Sequence, residues 1–151
     1  MLVIMFIGSF MIQYFLMSPI MVDRNIDITN SYGKAYLSVI MALFMVLFEV
    51  LMKDFQYKVF SLYWYIGIII SLASFVYLYR KQIAIDDKQY LEEMIEHHSM
   101  ALLTSKRILE KTDDYDVIAL AKRIVSQQED EIQKMSGIIM KIDSNKKREK
   151  V

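Results

Sequence analysis

Apolar residues dominate the chain from Met1 to Tyr79; from Arg80 onward they recur only every three or four positions among dense charge. The first pattern is that of membrane helices and the second that of amphipathic ones. Met1 to about Val22 carries no charged side chain and is broken only by Gly8, Ser9, Gln13, Ser18 and Pro19. It lacks the basic start and small-residue end of a secretory signal, so a retained membrane helix is expected. Its last turn should end before Pro19, because proline pushes the preceding residue out of helical geometry. Two further runs, Ala35 to Met52 and Val59 to Tyr79, would be roughly 27 and 31 Å long as helices, enough to cross a bilayer core.

The stretch between the first two runs, DRNIDITNSYGK, is polar and holds the turn formers Asn30, Ser31 and Gly33. The link KDFQYK is short, so the second and third helices should be antiparallel neighbours. Tyr57, Tyr63, Trp64 and Tyr65 then anchor one membrane interface, and Tyr77 and Tyr79 the other. Beyond Arg80, one amphipathic helix capped by Asp86 or Asp87 places Leu91, Met94, Ile95, His98, Ala101, Leu102, Ser105, Ile108 and Leu109 on a single stripe. A second, starting near Asp114, repeats the pattern from Val117 to Ile142. The expected fold is all-α: a membrane domain of three transmembrane helices in residues 1–80, a helical hairpin in 81–143, and a basic disordered tail in 144–151. Lys146, Lys147, Arg148 and Lys150 in that tail are either solvated or in contact with anionic lipid headgroups.

Charge and composition narrow the functions. Eighteen basic and eighteen acidic residues give a net charge of zero, so no long-range field points to nucleic acid as a partner. The lack of cysteine excludes disulfides, thiolate zinc sites and cysteine nucleophiles.

If the hairpin turns at about Asp113, His98 and Gln128 each lie about 22 Å from the turn and should face each other. Met94 is one turn from His98, Glu131 and Met135 occupy the matching stretch of the second helix, and His97 flanks the stripe. Imidazole and thioether together suit a soft, low-coordinate ion, Cu(I) before Zn(II) and well before Mg or Ca. The candidate metal ligands are therefore His97, His98, Met94 and Met135, with Gln128 and Glu131 behind them. The same spacing is equally that of a His98–Gln128 hydrogen bond in a methionine-filled core with no metal. Di-iron chemistry is disfavoured, because Met94 and Ile95 stand where a Glu-x-x-His pair would need glutamate. No nucleophile or substrate pocket can be named, so no enzyme is expected. In the membrane half, Met41, Met45 and Glu49 share a helix face. Glu49 either pairs with Lys53 at the interface or, with the two methionines, lines a path for a soft metal or protons.

The stretch from Asp86 to Met135 resembles the family labelled domain of unknown function 305, of the ferritin-like superfamily. The resemblance rests on Met94, His97, His98, Ser99, Ala101, the Leu103, Thr104, Ser105 run, Ala121, Ile124, Gln128, Glu131, Ile132 and Met135. Tyr36, Met41 and Met45 are similar to the methionine-rich helix of its membrane-anchored bacterial subgroup. This chain departs from the family with Glu96 in place of a proline before the His pair, Asp114-Tyr115 in place of Asp-Pro, and Glu49 in place of a methionine. The resemblance implies a helical bundle and, from some relatives, copper binding; it implies no reaction.

Two amphipathic helices do not bury both apolar faces by themselves, so a homo-oligomer assembled through the hairpin is expected. Arg24, Lys34, Arg80, Lys81 and Lys88 against Lys53 and Lys58 place the hairpin in the cytosol, whereas copper-binding relatives suggest the opposite face. The leading expectation is a multi-pass membrane protein with a copper-binding hairpin. The rival is a structural membrane protein of a cell envelope or virus particle whose hairpin serves assembly.

Overall fold

The computed structural model describes residues 1–148, and every regular element among them is helical. The contacts divide the chain into two compact units: residues 1–17 with 32–85, and residues 18–31 with the chain from Asp86 onward.

The first unit is built on α1 (Leu2–Met21), α2 (Tyr32–Tyr57) and α3 (Leu62–Arg80), all three long and apolar enough to cross a membrane. α2 is central, with α1 and α3 packed against it. Val46, Val50 and Ile68 form the core, joined by Leu2, Phe6, Leu47, Tyr65 and Leu72. Large apolar side chains such as Val3, Ile4, Ile7, Phe48, Met52, Ile69 and Ile70 face outward, a surface that suits lipid rather than water.

Two local expectations are corrected. α1 does not stop before Pro19 but continues to Met21. Ile12–Leu16 winds as a π-helix just ahead of the proline, and the Met17 N–H bonds to the Ile12 carbonyl. Such a widened turn absorbs the misfit of a ring that clashes with the preceding turn and donates no hydrogen bond. The KDFQYK link is also not a link, since α2 runs on through Tyr57. The reversal is made by Lys58 to Ser61, with Lys58 at φ 53°. Asp54, buried, clamps it: the carboxylate accepts from the Ser61 N–H at 2.6 Å, the Ser61 hydroxyl at 2.7 Å and the Tyr65 hydroxyl at 3.0 Å.

The second unit is the hairpin of α4 (Asp87–Leu109) and α5 (Tyr115–Arg148). Asp86 caps α4 by accepting from the Gln89 N–H at 2.8 Å. Asp114 caps α5 by accepting from the Asp116 and Val117 amides at 2.9 and 3.1 Å. Ile95, Leu102, Ile132 and Met135 form the core, with Leu91, Met94, Val125 and Ile139 packed on it. α5 carries on through Ser144 to Arg148, into the stretch read from sequence as a disordered tail; residues 149–151 lie outside the described part. Residues 18–31, expected to belong to the membrane domain, group with this unit. Ser18–Met21 are the last turn of α1, and the residues after them form a strap with a 3-10 turn at Asn25–Asp27, packed on α4.

Candidate functional site

α4 buries polar groups on two of its sides. Toward α5 lies His98, expected opposite Gln128 and found beside Glu131. Its side chain is 18% exposed, and Nδ1 sits 3.4 Å from the Glu131 carboxylate. That approach is not aligned as a hydrogen bond: Nδ1 of His98 and Oε1 of Gln128 are both buried without a hydrogen-bond partner. One turn along, Met94 and Met135 belong to the same apolar cluster. His98, Met94 and Met135 are thus held in or beside the hairpin core, with Glu131 half exposed at its edge. His97 is exposed, a consequence of the 100° step between successive helical residues, and is not part of that cluster. Among the described residues no three of His, Cys, Asp and Glu stand close enough together to hold a metal ion.

Toward the strap, by contrast, the buried polar groups are paired. Glu96 is 5% exposed. One of its carboxylate oxygens accepts from the Ser18 hydroxyl; the other accepts from the Thr29 N–H and hydroxyl, each at 3.1 Å. The Thr29 hydroxyl also reaches the Glu92 carbonyl at 2.7 Å. Three residues further along α4, Ser99 donates to Asp27 at 2.7 Å and accepts from the Asp23 N–H at 3.0 Å. Arg24 forks onto the same Asp27 through Nε at 3.0 Å and a terminal nitrogen at 2.9 Å. Lys106 bridges Asp23 on the strap at 2.8 Å and Glu129 on α5 at 3.0 Å. Those hydrogen bonds, to Asp23 first and Glu129 second, push the Lys106 ammonium above its ordinary pKa. The Lys88 ammonium is likewise pushed up by Asp143, at 2.7 Å, while burial raises Glu92 beside it.

This network has almost no sequence signature. Ser18, Thr29 and Asp27 lie more than 60 positions from their partners on α4. The available hint was Glu96 itself, a carboxylate standing where the resembling family has proline.

In the other unit, Met41 and Met45 face outward from α2 at 47% and 39% exposure. Glu49 is half buried, and among the described residues it takes no hydrogen bond or ion pair. The pairing with Lys53 is not formed.

Residues 77–148 match the family described as Domain of unknown function (DUF305). A curated relative, "Uncharacterized protein L153" of Acanthamoeba polyphaga mimivirus, is 48% identical over 64 residues, 42% of this chain and 42% of that protein. The chain therefore spans about two-fifths of the length of that relative. No solved structure matches.

Proposed function

We propose that this is a multi-pass membrane protein whose DUF305 hairpin binds a soft metal ion, Cu(I) by its donor chemistry, at His98 between the thioethers of Met94 and Met135. The observation that carries the reading is the Nδ1 of His98, buried without a hydrogen bond one helical turn from Met94, which packs in the same core as Met135. A buried polar atom without a partner calls for an explanation, and a bound ion is one that also accounts for the thioethers. The ion would draw its ligands from His98, Met94 and Met135; Gln128 and Glu131 would orient the imidazole, as neighbours of metal-bound histidines do. Three spans fit the grouping of the strap with the hairpin, because an odd number puts the α1–α2 connection and everything after α3 on one side of the bilayer. On the charge count, that side is the cytosol. A ferritin-like bundle is part of the proposal: two hairpins pairing as a homo-oligomer would supply four helices.

A second reading has its own support. Met94 and Met135 pack with Ile95, Leu102 and Ile132 as ordinary core residues, and Ile108, Val117 and Leu120 are exposed near the turn. In that reading the hairpin serves assembly alone.

An anaerobic Cu(I) titration of the full chain in detergent against a competing chelator separates the two. Tight binding lost in His98→Ala and in the Met94→Leu, Met135→Leu pair, but kept in His97→Ala, supports the single-hairpin site. Binding lost in His97→Ala as well moves the site to a junction of paired copies. No binding above background leaves the assembly reading.

A further inference from the structure

At the membrane-proximal end of the hairpin α4 starts on exposed Asp86 and Asp87, whereas α5 finishes on a basic run. At the turn, Asp113, Asp114 and Asp116 are exposed. At the opposite end, Lys141, Lys146, Lys147 and Arg148 are exposed on α5 and take no ion pair among the described residues. The one acid within that end of α5, Asp143, is held by Lys88. The same last turns expose two apolar side chains, Met140 at 72% and Ile138 at 45%. Basic residues beside exposed apolar ones on one helix are the composition of a surface that lies against anionic lipid.

Chain connectivity says which lipid surface. Only residues 81–86 separate the end of α3 from the start of α4, a reach of at most roughly 20 Å. Lys88, in the first turn of α4, is bonded to Asp143, so the basic end of α5 lies at the end of the hairpin where the chain leaves its last span. The acidic turn is at the far end, some 23 helical residues away.

We infer that the helical stretch from Lys141 to Arg148 docks on the anionic headgroups of the bilayer that holds the chain. This inference rests on the three-span reading and is independent of any metal.

The test uses the full chain in lipid nanodiscs. The chain has no cysteine, so Ser144→Cys gives a single site for a fluorophore, read against a nitroxide quencher on the lipid headgroups. Quenching should be at least about twofold stronger in discs of phosphatidylcholine with phosphatidylserine than in phosphatidylcholine alone. The difference should vanish in molar salt, where screening lengths shrink to about 3 Å. It should also vanish when Lys141, Lys146, Lys147 and Arg148 are each changed to Gln, with helicity by circular dichroism unchanged. Equal quenching in both lipids, or an undiminished difference in the neutralised variant, overturns the inference and leaves the spans intact. Failure of the chain to enter discs at all overturns the membrane reading and this inference with it.

Discussion

The strap-facing and α5-facing sides of α4 bury polar groups under opposite terms. Against the strap, Glu96 is met by two hydroxyls and an amide, and Ser99 by Asp27 and the Asp23 amide. Against α5, Nδ1 of His98 and Oε1 of Gln128 are buried and unmet. A satisfied buried network fixes one arrangement of chain and holds it; an unsatisfied group is a cost that persists only where something else makes use of it. The contrast gives Glu96 a structural part and makes His98 the residue on which the proposed ion site is to be tested, although the two are separated by a single position.

The sharpest way to break this comparison is Glu96→Ala. It strands the Ser18 and Thr29 donors, and the expected loss is about 3 kcal/mol or more in denaturant unfolding of the full chain in detergent. Protease cleavage within residues 18–31 should rise in parallel; an unchanged strap would mean that the network is incidental. Leu102→Ala, at a side chain with no exposure, should cost about 3 kcal/mol by cavity formation. It probes the apolar side without touching a polar atom, and so calibrates the first result. His98→Leu should go the other way, leaving metal-free stability unchanged or raised by about 1 kcal/mol, because it removes an unpaired buried nitrogen. A loss as large as that of Glu96→Ala would show that His98 is a register residue after all.

The smallest effect should come from the peripheral ion pairs. Lys88 and Lys106, each about one-third exposed, are held above their ordinary pKa in the folded chain. Their contribution is therefore complete below the usual lysine range, about 10.4, and is lost as pH rises through the raised folded value. Screened by solvent, Lys88→Gln should cost no more than about 1 kcal/mol near neutral pH. A melting temperature that drops steeply on approach to pH 7 instead would point to groups other than these lysines.

Much of this architecture is local and so was legible from residue order. The three apolar runs, a cap at Asp86 or Asp87, a second helix starting near Asp114, the turn near Asp113 and the placing of His98 on the α5-facing side follow from periodicity and capping, which act within a few residues. Pro19 misled because a π-turn upstream accommodates it, and Asp54 was passed over because its role depends on how Ser61 and Tyr65 fold back. By itself the sequence determined which segments are helices, which of them suit lipid, and which donors share a face, since hydrophobic period and end chemistry are properties of neighbours. Only the tertiary structure decided that residues 18–31 group with α4, that Glu96 is buried and hydrogen-bonded, and that Nδ1 of His98 is buried without a hydrogen bond, 3.4 Å from the Glu131 carboxylate. Pairing of that kind joins residues some 70 positions apart, and no local pattern encodes it.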